Sequence, residues 1–119
     1  MSTGVDLVDI DRIREAIERH GQRFIARIFT ETEQHECGGR IASLAARFAA
    51  KEAAAKALGC GIGDVRWLDI EVRSDENKAP FLVLHGAGET LARESGLLTW
   101  SVSLSHTGSQ AVAFVVALG

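Results

Sequence analysis

The chain has 119 residues, of which 46% are apolar and 24% charged, with a single proline; this is the composition of a globular domain and excludes collagen-like or disordered chains. A net charge of −3 excludes a nucleic-acid binder that relies on overall positive charge. No apolar run approaches the roughly 20 residues that cross a bilayer, and the length leaves room for one ordinary core, so residues 1–119 are expected to form a single domain.

The opening MSTGVDLVDI lacks the basic and apolar regions of a signal peptide. Cys37 and Cys60 match no disulfide framework and no metal spacing, so they read as reduced thiols. Cytoplasm is the expected compartment. Residues 4–10, rich in Val, Leu and Ile, read as a short buried strand. From Asp11 the pattern becomes helical: Ile13, Ile17, Phe24 and Ile28 fall within about 60° on a helical wheel. Asp9 or Asp11 supplies the cap, and Gly21 is expected to stop this helix and begin a second. Arg12, Arg19, Arg23 and Arg27 form a separate stripe about 80° wide. It is either a solvated face opposite the core stripe or a docking surface for an acidic partner.

Residues 36–40 contain a Gly-Gly pair and read as a loop; residues 41–58, dense in alanine, read as a helix, and residues 60–65 as a glycine loop. Residues 67–72 are expected to form a strand, 74–80 a turn, 81–84 a strand and 88–95 a short helix ended by Gly96. Residues 99–105 alternate Trp100, Val102 and Leu104 with serines, the signature of a half-buried strand. Residues 107–110 then turn the chain into the apolar strand 111–118, closing a hairpin. The mixture is α+β.

Several residues stand out chemically. Asp6 lies within an apolar strand, where a carboxylate needs an Arg, backbone N–H groups or a hard cation to offset its desolvation. Glu52 is either the i,i+4 surface partner of Lys56 or a second carboxylate ligand. Two features favour the ligand: the alanine-rich face lets another element approach, and the loop from Gly59 to Gly63 suits backbone approach to a ligand. Mg²⁺ takes one or two carboxylates and completes its shell with waters and phosphates, and Asp6 plus Glu52 has that ligand count. Lys51 reads as solvated. Ser103, Ser105 and His106 lack the G-x-S-x-G elbow of a serine hydrolase, and GCGIG follows a helix, the wrong context for a dinucleotide fingerprint.

Taken together, GVDLVDIDRI (4–13), RFAAKEAAAKALGCGIG (47–63) and SVSLSHTGSQAVAFVV (101–116) resemble, in order and spacing, the holo-acyl-carrier-protein synthases, the small single-domain class of phosphopantetheinyl transferases. The resemblance implies an antiparallel sheet with packed helices, a homotrimer with active sites between subunits, and dependence on Mg²⁺. It also implies transfer of the phosphopantetheine arm of coenzyme A to a serine of apo-acyl carrier protein, with release of adenosine 3′,5′-bisphosphate. On this reading Asp6 and Glu52 hold the metal, and Lys56 neutralises the pyrophosphate. Arg47, Gly59, Gly61 and His106 lie near the coenzyme, His106 reaching a neighbouring subunit's site. Arg12, with Arg19 and Arg23 of the same stripe, docks the carrier, whose acidity complements a local basic face. The carrier serine yields its proton to Glu52 or to a metal-activated water; the sequence leaves both open, as it leaves open a fatty-acid or a polyketide carrier. Two positions depart from the family pattern: Asn77-Lys78-Ala79-Pro80 stands where Gly-Lys-Pro is usual, and Asp9 where Glu is more common. The alternative is an oligomeric module that binds coenzyme A or an acidic protein without chemistry.

Overall fold

Three strands and one long helix carry the architecture of the computed structural model, which describes residues 1–119. In chain order the elements are β1 (Ser2–Asp9), α1 (Ile10–His20), α2 (Gln22–Ile28), α3 (Glu31–Cys37), α4 (Ile41–Ala57), β2 (Ile70–Ser74), β3 (Pro80–Leu84), α5 (Gly86–Glu94), β4 (Thr99–His106) and β5 (Gln110–Leu118). Strands β1, β5 and β4 form an antiparallel sheet in that order, and β2 and β3 a separate antiparallel ribbon. The register sets Asp6 opposite Ala113 and His106 opposite Ala111. This is the expected α+β class, with helices packed on antiparallel sheets.

Small residues let α4 lie almost against the β1–β5 surface. Ala111, Ala113 and Ala117 of β5 are fully buried, as are Ala49, Ala50, Ala53 and Ala54 of α4. The tightest approach is at Gly4, where an added Cβ would stand 1.8 Å from the Ala53 carbonyl oxygen. No other residue fits there, which explains the glycine two positions before Asp6. The opposite face of the sheet is different: Val5 and Leu7 of β1 and Phe114 of β5 are 51%, 59% and 47% exposed.

The structure corrects the sequence reading in several places. The region expected as a loop from residue 36 begins inside α3, and only residues 38–40 connect α3 to α4. A capping box starts α3: the Thr30 hydroxyl accepts from the Glu33 N–H, and the Glu33 carboxylate accepts from the Thr30 N–H. Residues 67–69, expected as strand, form a 3₁₀ turn because the buried Asp69 carboxylate accepts from the Arg66 N–H; β2 begins only at Ile70. Strand β1 is half-buried rather than buried, since its odd-numbered residues face out. Both cysteines are free thiols, Cys37 buried and Cys60 partly so. No helix is long and apolar enough to cross a membrane.

Candidate active site

The pleat of β1 turns Asp6 towards α4 while its neighbours Val5 and Leu7 point away. Lys56, in the last turn of α4, donates to Asp6 Oδ1 at 3.2 Å and to the Val5 carbonyl at 2.9 Å. The i,i+4 pair between Glu52 and Lys56 does not form; Lys56 crosses to Asp6 instead. Glu52 stands one turn earlier on the same helix, half-buried. Burial pushes its pKa above the usual carboxylate range, the Asp6 charge pushes it further, and Lys56 and Arg12 offset only part of the rise. Asp6, Glu52, Lys56 and Arg12 therefore form one electrostatic cluster where β1, α1 and α4 meet. Burial is the larger cause of the rise at Glu52 and the neighbouring Asp6 charge the smaller.

That donor set suits a hard divalent cation. Two carboxylates match Mg²⁺, which prefers one or two such ligands and fills its shell with waters and phosphate oxygens. Nowhere in the chain do three or more His, Cys, Asp or Glu side chains converge, so no all-protein cage competes with this arrangement. Helix α4 then ends in a Schellman motif: Gly59, at φ +76°, donates to the Lys56 carbonyl, and Cys60 donates to that of Ala55. A Cβ added at Gly59 or Gly61 would meet nothing within 4 Å, so this loop is open to an approaching ligand.

Arg47 and His106 line a polar cavity of about 580 Å³, together with Arg40, Lys78, Ser43 and Ser74. Arg47 is largely committed to the protein: one amino group donates to Glu36 at 2.9 Å and to the Val72 carbonyl at 2.6 Å, and the other to the Ser74 hydroxyl at 3.0 Å. The 77–80 turn, which departs from Gly-Lys-Pro, is organised by Asp75, whose carboxylate accepts from the Asn77 and Ala79 N–H groups. Lys78 adopts φ +63° there, a conformation unusual for a residue with a Cβ, and contributes to the cavity. The displaced lysine thus faces the same cavity as Arg47 and His106.

The arginine stripe is divided. Gly21, at φ +58°, separates α1 with Arg12 and Arg19 from α2 with Arg23 and Arg27. All four are exposed or nearly so, and Arg23 and Arg27 flank a hollow of about 260 Å³ with His20 and Phe24. Lys51, expected in solvent, is wholly buried and paired with Glu33 at 2.7 Å. Sequence reasoning missed Glu33 and Glu36 because it missed α3. The signal was present: Thr30-x-x-Glu33 is a capping-box spacing immediately before a helix.

Comparison with known proteins places this geometry in a family. The sequence pattern of the 4'-phosphopantetheinyl transferase superfamily matches residues 2–115, nearly the entire chain. This chain belongs to that superfamily. Among its phosphopantetheinyl transferase relatives, the holo-[acyl-carrier-protein] synthase of Herpetosiphon aurantiacus is 54% identical over 98% of each chain. That of Desulforudis audaxviator is 44% identical over 100% of this chain and 93% of its own. The crystal structure of the Helicobacter pylori holo-[acyl-carrier-protein] synthase in complex with coenzyme A superposes with a TM-score of 0.90 at 32% identity, over 98% of this chain and 99% of the other. The synthase from Neisseria meningitidis gives a TM-score of 0.90 at 37% identity, over 99% and 98%. The chain is a phosphopantetheinyl transferase by both sequence and fold.

Proposed function

We propose that this enzyme transfers the 4'-phosphopantetheine arm of coenzyme A to a serine of an apo-acyl carrier protein and releases adenosine 3′,5′-bisphosphate, with Asp6 and Glu52 holding Mg²⁺. The observation that supports the reading most directly is Glu52, half-buried and without an ion-pair partner, beside the Asp6–Lys56 pair. A desolvated carboxylate next to a second one is suited to a divalent cation. Bound there, Mg²⁺ supplies charge neutralisation at the pyrophosphate and at the departing bisphosphate.

The chain's own residues have distinct tasks. Lys56 sits beside the carboxylates and adds its charge to the same phosphate oxygens. Glu52, beside the phosphates and with a second carboxylate oxygen, is suited by position to take the proton from the attacking hydroxyl. The serine oxygen then bonds to the β-phosphorus, the bridging P–O bond breaks, and the bisphosphate leaves with the electron pair. Arg47, Lys78 and His106 give their cavity the positive charge that a phosphorylated ribose requires, and the open Gly59–Gly61 loop leaves backbone for the coenzyme. Arg12, Arg19 and Arg23 present the basic face for the acidic carrier. Coenzyme A complexes of the Helicobacter pylori relative support the substrate.

The exposed apolar residues Val5, Leu7 and Phe114 on the outer sheet face support a homotrimer built on that face, since a contiguous apolar patch marks an interface. The whole of residues 1–119 serves as one transferase domain, working in the cytoplasm. Mass spectrometry of apo carrier protein incubated with enzyme, coenzyme A and Mg²⁺ tests the reading. Addition of one phosphopantetheine is expected; a carrier left unmodified while coenzyme A still binds would instead establish a non-catalytic binding module. Light scattering of the purified chain tests the trimer.

A further inference from the structure

Helix α4 poses a packing problem. Its buried face is dominated by alanines, Ala46, Ala49, Ala50, Ala53 and Ala54 among them, which raise lower ridges than the large side chains that lock most helices against their neighbours. The large Leu44 and Phe48, the latter stacked on Trp67, lie only in its first half. Such a surface permits close approach and resists rotation about the helix axis less than a face of large side chains does. Rotation matters because Glu52 and Lys56 leave the same helix. A side-chain tip stands roughly 5–6 Å from the axis, so a turn of about 20° displaces it by about 2 Å. That is about the length of a Mg²⁺–oxygen bond.

Buried charge supplies what the alanines lack. Lys51 uses all three ammonium hydrogens, donating to Glu33 Oε1 at 2.7 Å, the Trp67 carbonyl at 3.1 Å and the Ile70 carbonyl at 2.5 Å. Glu33 also accepts from the N–H groups of Thr30 at 2.9 Å and Val72 at 3.0 Å. One turn away the arrangement repeats: Arg47 donates to the Val72 carbonyl, Glu36 accepts from the Ser74 N–H at 3.1 Å, and the two side chains pair with each other. The four side chains thus occupy carbonyls at 70 and 72 and N–H groups at 72 and 74 of β2. They act in place of a missing third strand. Helix α4 is indexed to β2 at two points four residues apart.

We infer that the buried Lys51–Glu33 pair is a positioning device that fixes the axial rotation of α4, so that Glu52, the next residue, is held facing Asp6. The inference rests on the metal-site reading above. Stability alone is a weak reason to keep such a pair, because apolar replacements of similar volume are often as stable. Fixing one arrangement of an otherwise smooth helix is the use this geometry supports.

Mn²⁺ binding followed by electron paramagnetic resonance, with coenzyme A present and carrier absent, tests it without reference to turnover. Wild type is expected to bind Mn²⁺ and Asp6→Asn to lose it; a wild type that binds none overturns the metal-site reading and takes this inference with it. Against that control, the neutral pair Lys51→Met/Glu33→Gln is expected to unfold cooperatively yet bind Mn²⁺ at least about tenfold more weakly, the scale seen for groups that orient metal ligands. Glu33→Asp keeps both charges and shortens one arm by a methylene; it is expected to lose affinity by a smaller factor, and it decides the matter if the neutral pair fails to fold. Wild-type Mn²⁺ affinity in either folded variant, with only the melting temperature lowered, overturns the inference.

Discussion

Two i,i+4 pairs on one helix make opposite use of charge. Arg47 and Lys51 are buried, and their bonds to Glu33, Glu36 and the edge of β2 satisfy them within the protein. Glu52 and Lys56, one residue further round, lie at the surface of the same helix beside Asp6, where Lys56 pairs with Asp6 and not with Glu52, and burial holds the Glu52 pKa above the ordinary range. The first pair answers every donor it buries; the second leaves Glu52 without an ion-pair partner, as the proposed cation site requires. Net charge already separates the pairs, two cations against one anion and one cation, but burial and pairing separate their roles.

Single substitutions separate the two roles. The largest effect is expected from Lys51→Met, which strands the Glu33 carboxylate in the core; denaturant unfolding should reveal a loss of about 3–5 kcal/mol. If stability is unchanged, the buried pair does not hold α4. Next comes Glu52→Gln, which retains shape but removes the charge proposed to hold the metal and to take the proton. Turnover measured by mass spectrometry of the carrier should fall by about 10²–10³-fold, with the unfolding midpoint preserved. The two substitutions are neighbours in sequence, so opposite phenotypes would be a direct readout of the two roles.

A smaller effect is expected at the basic face. Arg12→Glu should raise the KM for the carrier by a larger factor than that for coenzyme A, which also feels the change because Arg12 acts on Glu52, and added salt should weaken docking of the wild type. Equal loss for both substrates would remove Arg12 from docking. The smallest effect is a pH dependence. Because Glu52's pKa is raised, the folded state holds a proton there at pH values where an unfolded glutamate has lost it. Its contribution to stability is therefore present at low pH and lost as pH rises through the folded value. Metal binding follows the opposite course, since the proton must leave first. Mn²⁺ affinity should begin to fall on acidification at a higher pH than an ordinary glutamate would produce, and Asp6→Asn should move Glu52's titration, followed by NMR, back towards the usual range.

Much of this was readable from sequence, for specific reasons. The alternation of Trp100, Val102 and Leu104 gave β4, and the alanine run gave α4, because each is a strong local pattern. Helix α3 was lost because its seven residues, ETEQHEC, carry no apolar period, and its start depends on one capping interaction. Lys51 was misassigned for a related reason. An alanine-rich helix has no clear polar face, so two adjacent charges give no sign of which lies inside. Only the tertiary partner, Glu33, 18 positions earlier, decides it. The site joins Asp6 to Lys56 across 50 positions; a carboxylate in an apolar strand and the ligand count of Mg²⁺ paired Asp6 with Glu52 from residue chemistry, whereas the place of Lys56 beside them came only with the resemblance of three ordered motifs to a family.

The central claim is that Asp6 and Glu52 bind one divalent ion together. Anomalous diffraction from crystals soaked in Mn²⁺ and coenzyme A measures this directly. A single manganese peak in direct contact with a carboxylate oxygen of each residue is expected. A peak elsewhere, or none between the two carboxylates, would contradict the claim.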